Sequence, residues 1–331
     1  MNDRAVYLLE RYDMEVLRTG KGRGAILCDT DKGCLIFKEY TGNPEKIKIQ
    51  DRLLQNVKEA GIVPVEEIIK TKEEEFFVED TEGKKYILKT YFENRECNVK
   101  DLEECREAVR TLARLHESME LTEEEELLTD IPVFSLGKEF EKHNRELKKV
   151  SRYLRSKSQK SSFENTLLAG YDYFMEQALE ITSQFEEFTR EDDLEYIKKQ
   201  GIFCHGDYQH HNILKTEQTF AVINFERCMM DNPIRDLYLF MRKLLEKNGW
   251  SQHLGSELLD AYNSVRPLSA RSFVELYYRL AYPEKFWKIV NFYFNSGKAW
   301  IPEKNREKLV TLAGQEQQKQ DFLNAVFRTV S

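Results

Sequence analysis

The chain has 331 residues, of which 41% are hydrophobic and 33% charged, and its formal net charge is −8. That length suits two units of ordinary size, and that balance suits a globular protein rather than a disordered one. The acidic surplus argues against a nucleic-acid partner, because neutralising phosphates needs a basic surface.

The first stretch, MNDRAVYLLERYDMEV, carries acids and no apolar core run, so no signal peptide is expected. From there to Phe92 the pattern is one of short strands: VLRTG, GRGAILCDT, CLIFKEY, VPVEEIIKTK, EFFVED and KYILKTYF. Turn-forming breaks such as DTDKG and EDTEG separate them. One helix is expected in their midst, over PEKIKIQDRLLQNVKEAG, with Pro44 in its first turn and Gly61 as its stop. Ile47, Ile49, Leu53, Leu54 and Val57 give it an apolar stripe.

Beyond Glu93 the chain reads as helical. Leu102, Val109, Leu112, Ala113 and Leu115 set a core-facing stripe in LEECREAVRTLARLHESM. A charge-heavy, helix-prone stretch runs from about Leu121 to Gln200, and its TEEEE and QFEEF runs read as solvated faces. IFCHGD and FAVINFE read as short strands around a loop. The most aromatic region, Val274 to Phe294, is interrupted by Arg279, Glu284, Lys285 and Lys288. It reads as a pair of helices and not as a membrane span. The cysteines Cys28, Cys34, Cys97, Cys105, Cys204 and Cys228 form no C-x-x-C pair and read as buried reduced thiols.

Chemistry concentrates in HGDYQHHN, His205 to Asn212. Asp207 and Asn212 stand five apart, the separation between base and metal-binding amide in the kinase loop H-R-D-x-x-x-x-N. His205 reads as a residue that packs and fixes the loop. His210 and His211 are adjacent, and neighbouring side chains diverge, which disfavours a metal pair. Strand alternation puts Cys34, Ile36 and Lys38 on one face of CLIFKEY, as in the V-A-I-K strand that carries a phosphate-binding lysine. Upstream, Gly20, Gly22 and Gly24 form a turn whose backbone can approach phosphates. Taken singly, a glycine turn fits any hairpin and a strand lysine fits a solvated face. The order glycine turn, strand lysine, helix and H-G-D-x-x-x-x-N is that of a phosphoryl-transfer protein, which must grip phosphates, hold metal ions and orient an acceptor.

His205-Gly206-Asp207 with Asn212 resembles the aminoglycoside phosphotransferase and choline kinase superfamily. LARLH (Leu112 to His116), CHGDYQHHNIL, RDLYLFMRKLLEKNGW (Arg235 to Trp250) and NSGKAWIPEKNREKL (Asn295 to Leu309) bring the resemblance closest to the CotS family of spore coat proteins. It implies an α+β fold, bilobal and protein-kinase-like, with a small β-rich N-lobe and a larger helical C-lobe. The nucleotide-binding lobe would span 1–92. The helical lobe would span 93–331, with the catalytic loop at 204–228 and a variable helical insertion at about 121–200 that builds the acceptor pocket. By the same resemblance Asp207 is the catalytic base, and Asn212 and Asn224 stand at the metal positions. Gly22, Gly24 and Lys38 hold phosphates, while Ile36, Tyr91 and Phe92 meet adenine. Asp236 braces the loop. The implied cofactors are ATP and magnesium. The implied partners are an unidentified small-molecule acceptor and other spore coat proteins, and the implied location is the mother-cell cytoplasm followed by the spore coat.

Two departures shape the expected activity. Asn224 stands where the superfamily has a metal-binding aspartate, and the helix after Lys38 offers no obvious glutamate, only Asp51 within it and Glu45 and Glu59 near its ends. Magnesium prefers anionic oxygen. Losing one unit charge at roughly 4 Å forfeits on the order of 4 kcal/mol at an effective dielectric near 20. ATP binding with phosphotransfer weak or lost is therefore expected, with Glu226 able to compensate if it turns toward the phosphates. The alternatives are an active phosphotransferase and a purely structural coat protein.

Overall fold

The computed structural model describes residues 3–22, 24–92, 95–122, 128–217, 219–296 and 303–328. After a 3-10 helix at Asp3–Arg11 come β1 (Val16–Gly22), β2 (Ala25–Thr30), β3 (Gly33–Glu39), β4 (Ile68–Ile69), β5 (Val78–Glu79) and β6 (Lys85–Thr90). They form one antiparallel sheet in the order β1-β2-β3-β6-β4, with β5 also on β6. Alternation along β3 buries Leu35 and Phe37 and leaves Cys34, Ile36 and Lys38 partly open on the other face. The buried face packs Phe37 on Tyr86, ring centroids 5.4 Å apart, among Leu8, Tyr12, Cys28 and Leu88.

The expected helix is α1 (Ile47–Ala60), entered through a 3-10 turn at Pro44–Lys46. Asn43 caps that turn from its side chain, and Gly61 ends the helix in the left-handed region at φ 67°. All five residues of its expected stripe are buried. The next helix, α2 (Leu102–Ser118), is capped by Asp101, which accepts from the Glu103 and Glu104 amides. Val109, Leu112, Ala113 and Leu115 are buried as expected, whereas Leu102 is exposed at the first turn, where no preceding turn covers it.

The remaining helices are α3 (Leu136–Ser156), α4 (Ser162–Phe188), α5 (Glu191–Gln200), α6 (Ile234–Lys247), α7 (Gln252–Asn263), α8 (Ala270–Ala281), α9 (Glu284–Asn295), α10 (Glu303–Gly314) and α11 (Glu316–Val326). The aromatic region is thus two helices, α8 and α9, broken at Tyr282 and Pro283. Among the described residues no helix is long and apolar enough to cross a membrane. Positions 297–302 of the NSGKAWIPEKNREKL stretch and 123–126 of the TEEEE run lie outside the described residues. None of the six cysteines is in a disulfide; five are buried and Cys34 is partly so.

The chain groups into two compact units. One comprises Met1–Ile131, Lys199–Asp236 and Ala261–Arg266, and so holds the sheet, α1, α2 and the whole HGDYQHHN region. The other comprises Pro132–Lys198, Leu237–Asp260 and Pro267–Ser331. Its core joins Leu147 and Leu154 of α3 with Phe163, Leu167 and Phe174 of α4, Phe286 and Val290 of α9 and Leu309 of α10. A buried polar link crosses it, Asn144 donating to Thr182 at 2.8 Å and accepting from the Tyr282 hydroxyl at 2.9 Å.

Candidate functional site

Four short strands frame the HGDYQHHN loop. β7 (Phe203–Cys204) pairs with β10 (Met229–Met230), and β8 (Ile213–Lys215) pairs with β9 (Phe220–Val222). The loop is tied down by a buried carboxylate: Asp236 accepts from the backbone amides of His205 at 2.6 Å and Gly206 at 2.8 Å. His116, which ends the LARLH stretch, lies 3.2 Å from Asp236 through Nε2 and 2.8 Å from the Tyr262 hydroxyl through Nδ1. A carboxylate only accepts, so Nε2 carries the proton and the ring, neutral because burial lowers its pKa, accepts from Tyr262. Burial alone would raise the Asp236 pKa, but the bonds from His116 and the His205 amide hold it below the usual carboxylate value.

His205 acts as a structural ring. Its Nε2 donates to the Ile223 carbonyl at 3.0 Å and its Nδ1 accepts from the Asp207 amide at 3.1 Å. Gly206 adopts φ 77°, and a Cβ there would lie 2.1 Å from the Arg227 carbonyl oxygen, so only glycine fits. Tyr208 donates from its hydroxyl to the Ala108 carbonyl of α2 at 2.7 Å.

The loop and the sheet meet at Lys38. β9 ends at Val222, Asn224 adopts a left-handed conformation at φ 68° and ψ 58°, and a 3-10 turn follows at Phe225–Arg227. Asparagine is one of the few side chains that tolerate that backbone. Lys38 Nζ donates to Asn224 Oδ1 at 2.8 Å, Asn224 Nδ2 donates to Asn212 Oδ1 at 2.9 Å, and Asn212 Nδ2 donates to the Asp207 carbonyl at 2.8 Å. An ammonium that can only donate starts this chain and a carbonyl that can only accept ends it, so both amide orientations are determined.

A second set of contacts surrounds the same lysine. Glu226 Oε1 lies 2.7 Å from Lys38 Nζ and 2.9 Å from Lys89 Nζ, and Lys89 lies 2.6 Å from Glu66 Oε2. Glu66 also accepts from the Phe225 amide through Oε1 at 3.1 Å, which ties the turn to the residues before β4. Burial and the neighbouring Lys89 depress the Lys38 pKa, with Glu226 opposing them. For Lys89 burial pulls the other way, but Glu66 and Glu226 raise its pKa. Burial likewise opposes ionisation of Glu226, yet the two lysines hold its pKa far below the ordinary glutamate value.

Of the residues singled out in the sequence, Lys38, Asp207, Asn212 and Asn224 are joined by that hydrogen-bond chain. Asp207 also accepts from the Gln209 amide. Gly22 ends β1 opposite Ala25, and Gly24 turns at φ 68°. Since Ala25 is opposite Lys38 across β2 and β3, the turn adjoins the lysine end of β3. Ile36 is opposite Lys89. The Tyr91 amide donates to the Cys34 carbonyl at 3.1 Å, and Phe92 is half-buried.

The acid of Lys38 is not on α1. Asp51 instead faces Lys70 at 3.5 Å and Gln55 at 2.9 Å. The partner is Glu226, brought to the same lysine as Asn224 by the left-handed residue and the turn that follows it. Neither Lys89 nor Glu66 was read from the sequence as a charge partner in this cluster. A lysine within the apolar run YILK was the available signal, because a charge there must find buried partners.

The donor set fits a magnesium ion poorly. Both amide oxygens at the expected metal positions accept from protein donors, neither brings charge, and the Glu226 oxygen beside Lys38 is shared by two lysines. Among the described residues no three of His, Cys, Asp and Glu gather so as to hold a metal ion.

The family profile described as "Spore coat putative kinase YutH" matches residues 6–326. Spore coat protein S of Bacillus subtilis (strain 168) is 28% identical over 144 residues, 43% of this chain and 40% of that protein. The chain thus spans less than half the length of this curated relative. Among solved structures, an aminoglycoside phosphotransferase from Alicyclobacillus acidocaldarius subsp. acidocaldarius DSM 446 aligns with a TM-score of 0.83 at 20% identity, covering 100% of this chain and 96% of that one. A spectinomycin phosphotransferase in complex with ADP and spectinomycin aligns with a TM-score of 0.66 at 13% identity, over 96% of this chain and 94% of that one. These likenesses bear out the α+β, kinase-like fold.

Proposed function

This chain belongs to the YutH family of spore coat kinase-like proteins, and on that premise we propose that it binds ATP beside Lys38 with phosphotransfer weak or lost. The observation that carries the reading is the Asn224 side chain, which accepts a hydrogen bond from Lys38 on its oxygen and donates one to Asn212 from its nitrogen. An aspartate at this position could do the first and not the second. The amide therefore removes an anionic metal ligand and also occupies the oxygen of the other one. Asp207 keeps the base role, the turn at Gly22 and Gly24 and the ammonium of Lys38 face the phosphates, and Ile36, Tyr91 and Phe92 flank adenine. Any magnesium held by Asn212 and Asn224 is held weakly. The ADP complex of the spectinomycin phosphotransferase supports a nucleotide in a fold of this kind. The N-terminal 92 residues act as the nucleotide lobe and residues 121–200 as the acceptor-shaping insertion. The protein is made in the mother cell and joins the spore coat, where other coat proteins surround it.

Calorimetric ATP titration and a transfer assay on generic hydroxyl and amine acceptors test this. Binding without transfer is expected. Robust turnover by the wild-type protein would establish an active phosphotransferase, and absence of nucleotide binding would leave the assembly role.

A further inference from the structure

The Asn224 oxygen, at one of the two expected metal positions, already holds a cation. Asn224 Oδ1 and Glu226 Oε1 lie 2.8 and 2.7 Å from one nitrogen, Lys38 Nζ. Lys38 is also the open member of the charge cluster, its side chain 20% exposed against 1% for Lys89. We infer that the Lys38 ammonium is the resident cation of this site, and that the site takes metal-free nucleotide, its phosphates displacing Glu226 from Lys38. The inference rests on the nucleotide reading above and narrows its ligand.

The cost of each alternative decides between them. Magnesium competes with Lys38 for Asn224 Oδ1 and with the Asn224 amide for Asn212 Oδ1, so two hydrogen bonds of the chain are at stake. Asn212 is buried, so taking away its donor is costly, and the two amides offer the ion only neutral oxygens in return. Admitting a phosphate asks one long, flexible side chain to trade one anion for another. Glu226 is not stranded by that trade, because Lys89 remains 2.9 Å away. Glu66 in turn keeps Lys89 at 2.6 Å. The buried pair therefore holds its geometry while Lys38 moves.

The cluster also limits affinity. Its two lysines and two glutamates sum to zero charge, so the unliganded site exerts little pull on a polyanion. Removing the Glu226 charge leaves Lys38 on the neutral Asn224 oxygen, without an anion to compete with phosphate, and leaves Lys89 paired with Glu66.

Titration of ATP and ADP in EDTA and in excess magnesium, on wild type, Glu226→Gln and Asn224→Asp, tests the inference. Wild-type Kd should differ by less than about threefold between the two conditions, and Glu226→Gln should bind metal-free ATP about tenfold more tightly. Asn224→Asp, which supplies a carboxylate and releases the Asn212 oxygen, should bind ATP at least about tenfold more tightly with magnesium than without. Wild-type binding confined to magnesium would overturn the inference and leave the nucleotide reading standing. No binding under either condition would overturn both. A folded Glu226→Gln that binds metal-free ATP no more tightly would also overturn the displacement of Glu226. Should circular dichroism show that variant unfolded, the wild-type and Asn224→Asp titrations decide alone.

Discussion

Two lysines touch the same Glu226 oxygen, and their surroundings assign them different work. Lys89 is buried with both glutamates, so Lys89→Ala strands two carboxylates of which only one retains a lysine. Breaking a buried pair in this way costs roughly 3–5 kcal/mol. Lys38 is partly open, and its loss leaves Glu226 still held by Lys89. Lys38→Ala should cost about 1 kcal/mol or less of stability while weakening nucleotide binding. Urea unfolding of both variants, with ATP titration of Lys38→Ala, checks the contrast. Equal nucleotide affinity in Lys38→Ala would return that lysine to an ordinary strand position. Gly206 gives a second test at this scale. Its left-handed φ and the 2.1 Å approach to the Arg227 carbonyl leave no room for a methyl group. Gly206→Ala should lose about 3 kcal/mol, read as a fall in Tm of roughly 5–10 °C.

At the scale of elements, the catalytic loop owes its shape to a distant carboxylate. Asp236 at the start of α6 accepts two successive loop amides, and α2 supplies His116 to the same group. Asp236→Asn keeps one acceptor but aims an amide N–H at a backbone N–H or at the ring. The expected result is a loss of about 2–3 kcal/mol, with faster hydrogen exchange across residues 205–212. Unchanged exchange there would mean that the strand pairs β7–β10 and β8–β9 suffice to hold the loop. What was legible in advance follows the same division. α1 could be read because Pro44, Gly61 and a 3.6-residue stripe are local signals, and β3 because alternation is local. The Asp207 to Asn212 spacing was legible because one loop carries both. Glu226 as the partner of Lys38 was not, since it depends on a left-handed residue at Asn224 and on pairing across most of the chain. The sequence offered only Asp51, Glu45 and Glu59 in and around α1, and Asp51 answers to Lys70. Charge pairs set by tertiary packing leave no periodic trace in the sequence.

For the whole molecule, the carboxylates Glu226, Asp236 and Glu284 and the buried His116 tie stability to pH in one direction. In the unit that holds the site, Glu226 and Asp236 have folded pKa values below their usual ones, and so does His116. In the other unit burial opposes ionisation of Glu284, but His143 at 3.4 Å and Lys288 at 2.9 Å bring its pKa down to about 2. A group whose folded pKa is depressed contributes stability above its unfolded pKa, and that contribution is lost as pH falls toward the folded value. Unfolded values are about 6.5 for histidine, 4.3 for glutamate and 3.9 for aspartate. Stability should therefore be level at neutral pH and decline gently below about pH 6.5, as protons bind His116 in the unfolded chain. It should then fall steeply below about pH 4.5, as the carboxylates follow. Because Glu284 lies in one unit and Glu226 and Asp236 in the other, the acid loss should reach both. Scanning calorimetry from pH 7 to 2.5, with exchange followed separately in β3–β6 and in α3–α4–α9, reads this directly. A unit whose protection stays constant down to pH 3 would show that its buried carboxylate is not ionised in the folded protein, and the pairing drawn there would be wrong.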